Sequence, residues 1–220
     1  MGGAKVSDKL PIIQNLLPLA DNLIITGGMI FTFLQAIRDI NIGHSLFESG
    51  QESYIQQVLE EAKTHKVNIY FPNDFKSTLF SDFQDYCSGN NTLSDNPPII
   101  TTLEEGIHPD YIGLDIGPKS VEKFKYVLSK SSCVALNGPS GLTEHSFYRE
   151  GTVDLFNHIS DLTSEKEDFI SIIGGGDSVN AIKYCKQGTR FSHVSTGGGA
   201  SLELLEGKKL PGIYSLSEKN

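Results

Sequence analysis

The sequence is short of the features that would place it quickly. Cysteine is scarce: Cys87, Cys133 and Cys185 are far apart, odd in number and form no C-x-x-C pair. That excludes a disulfide framework and a cysteine zinc site, and reduced thiols are the expectation. Long hydrophobic runs are missing as well. The longest, "LIITGGMIFTFL", is too short for a bilayer and is broken by Gly27 and Gly28. No charged-then-apolar leader opens the chain, so a cytoplasmic protein with no membrane partner is expected. Positive charge is outnumbered, 18 Lys and Arg against 27 Asp and Glu, giving a net charge of -9. A nucleic-acid partner, which draws on clustered cations, is therefore not expected. The six histidines lack metal-binding spacing. The P-loop G-x-x-x-x-G-K-[ST], the dinucleotide G-x-G-x-x-G and the hydrolase G-x-S-x-G are all absent. An "NNT" sequon at Asn90 carries little weight without a secretory signal.

What is present is a regular alternation. Leu10, Ile13, Leu16, Leu17 and Ala20 make a helical stripe, and "MIFTFLQAIRDI", "ESYIQQVLEEAKTH", "KSVEKFKYVLSK", "GTVDLFNHI", "DSVNAIKYCKQ" and "ASLELLEG" read as helices. "NLIIT", "VNIYF", "IITTL", "CVAL", "DFISII" and "FSHVS" read as strands. Between Phe75 and Pro98 the chain turns polar and reads as an irregular surface excursion. The pattern predicts a single α/β domain over residues 1–220, doubly wound, with a mostly parallel six-stranded sheet and helices on both faces.

Glycine turns follow the strands: "TGGM" after "NLII", "NGPSG" after "CVAL", "GGGDS" after "FISII", "STGGGAS" after "FSHV". Such turns line the carboxyl edge of an open α/β sheet, where ligands bind. "GGGDS" carries an acid, Asp177, where an anion would otherwise sit. Asp177 can serve as a helix cap or can face a cation held by an anionic ligand.

"GGAKVSDKLPIIQNLL", "IITGGMIFTFL", "GHSLFE", "GLDIGPKS", "NGPSG", "IIGGGDS" and "HVSTGGGASLELLEGKKLPG" resemble, in order and spacing, the C-terminal nucleotide-binding domain of phosphoglycerate kinases. The resemblance covers nearly the whole chain. It implies phosphoryl exchange between 1,3-bisphosphoglycerate and ADP in glycolysis, with ADP or ATP and Mg²⁺ as the bound groups, in a family that is typically monomeric. Carried over position by position, it implies that Lys9, Gly176, Gly198 and Gly199 act on the transferring phosphoryl group, with Gly197 adding its amide. Gly3, Ala4, Lys5 and Ser178 would contact the nucleotide's phosphates or let them approach. Gly27, Gly28, Leu46, Gly113 and Leu114 would wall the adenine. Asn137, Pro139, Gly141, Leu142 and Glu144 would run past ribose and phosphates, and Asp177 would hold the metal.

Two departures qualify the resemblance. Ser140 and Thr143 replace larger apolar residues, which predicts a loosely packed loop and weaker nucleotide affinity. The family's N-terminal domain, with the basic patch that holds the phosphoglycerate, and the apolar strand leading into "GGAK" have no counterpart in these 220 residues. The resemblance thus implies an open apolar groove in the sheet and an inactive isolated chain. A non-catalytic ADP- or ATP-binding module is the alternative.

Overall fold

The computed structural model describes residues 1–89, 93 and 97–216; the Asn90 sequon lies outside them. The chain opens with a turn into helix α1 (Leu10–Leu16), followed by strand β1 (Asn22–Ile24) and helix α2 (Met29–Arg38). Helix α2 buries Met29, Ile30, Phe31, Phe33 and Leu34 and stops at Asp39, which adopts the left-handed conformation. Helix α3 (Glu52–His65) turns Ile55, Val58 and Ala62 inward. It places Glu52 in its first turn and Lys63 in its last, charges that complement the helix dipole. Strand β2 (Asn68–Tyr70) returns beside β1, in parallel. These elements share one apolar core around Ile13, Ile25, Met29, Phe33 and Ile55.

The second half repeats the scheme. Helix α5 (Pro118–Ser129), strand β6 (Cys133–Asn137), helix α6 (Glu150–Glu165), strand β7 (Ile170–Gly174), helix α7 (Gly176–Ala181), the two-residue strand β8 (His193–Val194) and helix α8 (Gly199–Leu205) alternate, and β6, β7 and β8 pair in parallel. Phe124, Leu155, Ile159, Leu162 and Phe169 form the core between α5, α6 and these strands. A short helix, α9 (Pro211–Tyr214), closes the described chain. Among the described residues no helix is long and apolar enough to cross a membrane.

The mixed α/β architecture agrees with the sequence pattern, and two details differ from it. The stretch from Phe75 is not irregular: Asp74–Leu79 is strand β3 and Phe80–Cys87 is helix α4. Strand β3 carries no hydropathy signature because Asp74, Lys76, Ser77 and Thr78 are buried polar residues. It pairs antiparallel with β4 (Ile99–Thr102) on one side and with β5 (Tyr111–Ile116) on the other. Gly113–Ile116 of "GLDIGPKS" therefore lies within a strand. Eight strands result among the described residues, in one antiparallel and two parallel ladders rather than one six-stranded sheet.

Between β1 and β6 lies an apolar groove of about 370 Å³, lined by Leu23, Ile24, Val134, Leu136, Leu155 and Ile159 among others. One end is stitched shut by the first residues. The Met1 amino group donates to the Ile24 carbonyl (2.7 Å), Thr26 N–H to Met1 O (2.9 Å) and Gly2 N–H to Asn137 O (2.8 Å).

Candidate functional site

Three backbone turns meet where β1 and β6 end: residues 2–4, 27–28 and 138–139. Gly3 N–H donates to Pro139 O (3.1 Å), and Met29 N–H to Gly3 O (3.0 Å). The approach leaves no room for side chains. A Cβ on Gly2 would strike the Pro139 and Gly138 carbonyls, and Gly27, at φ +73°, packs on the Gly3 backbone. A Cβ on Gly28 would strike the Leu46 side chain, so glycine there lets Leu46 pack directly on the backbone.

Beside these turns opens a crevice of about 310 Å³. Gly3, Ala4, Gly27, Gly28, Leu46, Gly113, Leu114, Pro139, Gly141, Leu142, Glu144 and Asp177, all anticipated from the sequence, line it together. Phe31, Phe75, Phe83, Ile112 and Ile116 give it apolar walls that the sequence did not announce. Leu46, half exposed, belongs to this wall rather than to the core. Apolar faces with few polar groups suit a flat ring.

The lysines separate. Lys9 ends the first turn, and its Nζ donates to Asn137 Oδ1. Burial lowers its pKa, while Asp8 and Asp177 push the other way. Lys5 stays exposed, just ahead of a turn held by Glu48, which accepts from Ser7 N–H (3.0 Å) and Ser7 Oγ (2.5 Å). Asn137 is buried, and its Nδ2 has no partner among the described residues. That nitrogen lies against the turn at Gly174 and Gly175.

Asp177 is exposed in the first turn of α7, where no side-chain cap is formed. Ser178, expected to reach a phosphate, is fully buried, and its Oγ accepts the Gly138 N–H (2.8 Å). Its contribution is to tie the loop after β6 to the start of α7. Gly176, Gly198 and Gly199 begin α7 and α8 and lie outside the crevice lining. The loop carrying Ser140 and Thr143 is not loose. Both residues are buried, Ser140 N–H donates to Thr152 Oγ1 (2.8 Å) and Leu142 N–H to Leu114 O (2.9 Å). Small polar residues are accommodated because the backbone itself is bonded on both sides.

Among the described residues no three His, Cys, Asp or Glu side chains gather around one point. A divalent cation here would take one oxygen from Asp177 and most others from its ligand and water, which suits Mg²⁺ carried on phosphates.

Fold and crevice together define a mixed α/β protein whose candidate ligand site joins glycine-rich turns at the ends of β1 and β6 to apolar side-chain walls. A family model described as phosphoglycerate kinase matches residues 1–208. The phosphoglycerate kinase of Plasmodium falciparum is 42% identical over 219 residues, covering all of this chain and 50% of that protein. That of Tetrahymena thermophila is 43% identical over 218 residues, covering 99% and 49%. The solved phosphoglycerate kinase of Coxiella burnetii is 32% identical with a TM-score of 0.82, covering 97% of this chain and 50% of that one. The chain belongs to the phosphoglycerate kinase family. It spans about half the length of the curated relatives it matches.

Proposed function

We propose that the chain is the nucleotide-holding half of a cytoplasmic phosphoglycerate kinase, exchanging a phosphoryl group between 1,3-bisphosphoglycerate and ADP once a phosphoglycerate-binding half faces it. One observation carries this reading. Glycines from three turns and from strand β5, with the exposed carboxylate of Asp177, line one crevice with apolar walls. Adenine would lie in the slot formed by Gly27, Gly28, Leu46, Gly113 and Leu114. The loop from Asn137 to Glu144 would pass the ribose and phosphates, with Glu144 toward the ribose hydroxyls. Asp177 would hold Mg²⁺, which when bound neutralises charge on the phosphate oxygens.

Chemistry of this kind needs positioning and electrostatics rather than a protein nucleophile, because the acyl phosphate is already activated. Lys9 supplies the cation aimed at the transferring group, Lys5 meets the nucleotide's phosphates, and the amides of Gly197, Gly198 and Gly199 with Gly176 cradle oxygens. Asn137 holds the Lys9 ammonium through Oδ1 and leaves Nδ2 free to donate.

Isothermal titration of the chain with ADP, with and without Mg²⁺, and with NAD tests the nucleotide reading. Binding of MgADP in preference to NAD is expected, and an NAD signal without one for ADP would overturn it. In the coupled assay, the 220-residue chain alone should make negligible ATP from 1,3-bisphosphoglycerate and should gain activity when a family N-terminal domain is fused ahead of it. Vigorous turnover by the lone chain would contradict the division of labour.

A further inference from the structure

Behind the crevice wall sits an acid with no place in the scheme above. Asp115, on β5, is buried and borders the crevice from beneath the loop that follows β6. Its Oδ2 accepts the Gly151 N–H (2.8 Å), where that loop enters α6. Among the described residues its Oδ1 has no hydrogen-bond partner, and it is wedged between Gly141 and Gly151, where a Cβ on either glycine would collide with it. Its cationic neighbour is poorly placed to neutralise it. Lys76 Nζ lies 3.9 Å from Oδ2 but donates to Glu150 Oε2 (2.5 Å) and to the Phe147 carbonyl (3.1 Å).

We propose that Asp115 is a positioning residue for the crevice. Its carboxyl, kept uncharged, braces the loop from Gly138 to Gly151 from behind, so that Ser140, Gly141, Leu142 and Glu144 present a closed wall to a nucleoside phosphate. The proposal rests on the nucleotide reading of the crevice. Its physical basis is the cost of an enclosed charge: a neutral acid can sit between two glycines with one hydrogen bond, whereas a carboxylate there needs water or a committed cation. Water can reach Oδ1 only if the loop lifts. Burial raises the Asp115 pKa to about 8, outweighing the Gly151 N–H and Lys76, while Glu150 pushes it further up. The other ionisable groups that face it or the same crevice are Lys76 from β3, Glu150 from α6, Tyr148 and Glu144 from the loop, Asp177 from α7 and Lys9 from the first turn.

Two measurements on the 220-residue chain test this, each on wild type, Asp115→Asn and Asp115→Ala between pH 6 and 9. The first is hydrogen exchange at the Leu142 and Gly151 amides without ligand, normalised to the unstructured rate at each pH. The second is ADP affinity by calorimetry. In wild type, protection should fall by roughly tenfold per pH unit from pH 6 toward 8 and level off above it, because the enclosed carboxyl keeps its proton up to about pH 8 while an exposed one is ionised throughout this range, and the ADP Kd should rise as the loop opens. Asp115→Asn keeps an acceptor for Gly151 and cannot ionise, so its profiles should be flat by comparison. Asp115→Ala should show weak protection at every pH. Parallel pH profiles in wild type and Asp115→Asn, or full protection in Asp115→Ala, would overturn the proposal. If wild type binds no ADP at any pH, the nucleotide reading fails, and the exchange data judge the brace alone; should Asp115→Ala not fold, the Asn variant decides.

Discussion

The carboxylate of Asp74 caps helix α5, whose first turn carries Lys119 and Ser120. Asp74 Oδ1 accepts Ser120 N–H (2.7 Å) and Ser120 Oγ (2.5 Å), and Oδ2 accepts Lys119 N–H (3.0 Å). Gly117, the residue before α5, has no side chain because a Cβ would occupy the carboxylate's position. This contact locks the antiparallel strand β3 to α5 and so holds β5, one wall of the crevice, in place.

Asp74→Ala should therefore destabilise the fold by about 3 kcal/mol, combining a lost cap with buried N–H groups left unpaired. Asp74→Asn, which keeps one acceptor, should lose about half as much. Urea denaturation of the three proteins reads both values, and a loss under ~1 kcal/mol for the alanine variant would show that the cap contributes little.

Asp177→Asn should weaken ADP binding in the presence of Mg²⁺ and leave metal-free ADP binding nearly unchanged, because it removes charge and keeps shape. The exposed carboxylate caps nothing in α7, so no structural cost should accompany the change. Titrations with and without Mg²⁺ isolate the metal term. Equal losses under both conditions would deny Asp177 a metal role.

With the N-terminal half restored by fusion, Lys9→Ala should lower kcat by roughly two orders of magnitude, near 3 kcal/mol, and change the nucleotide KM little. A cation aimed at the transferring group acts most strongly where charge gathers, in the transition state. Steady-state kinetics settle it: an unaltered kcat removes Lys9 from catalysis.

For the chain retaining Met1, the pH dependence of stability should carry the mark of its amino group. Burial, then Lys9, lowers the Met1 ammonium pKa from 8.0 to about 5. The Met1 residue as a whole is partly exposed while its amino group is held at Ile24, so the effect is smaller than full enclosure would give. The unfolded chain takes up this proton between pH 8 and 5 and the folded chain does not, so stability is greatest above pH 8 and falls toward pH 5, by about 2 to 4 kcal/mol. Acetylating the α-amino group should remove that slope. Melting curves that keep the slope after acetylation would assign it elsewhere.

The sequence by itself determined the alternation of helices with parallel strands and the turns that end those strands. Both are local: the helical stripe from Leu10 to Leu17 and the glycines after "NLII" and "CVAL" act on neighbouring residues through backbone geometry and periodic burial. It also marked most of the crevice, because close backbone approach demands glycine and glycine is visible in a sequence. The tertiary structure alone decided the antiparallel ladder of β3, β4 and β5, the fate of Ser178 and the place of Asp115. Asp74, Lys76 and Asp115 are charged residue types that a linear reading assigns to the surface. Whether each can be buried depends on a partner tens of residues away, Ser120 for Asp74, Glu150 for Lys76 and Gly151 for Asp115, and that pairing exists only once the chain has closed on itself.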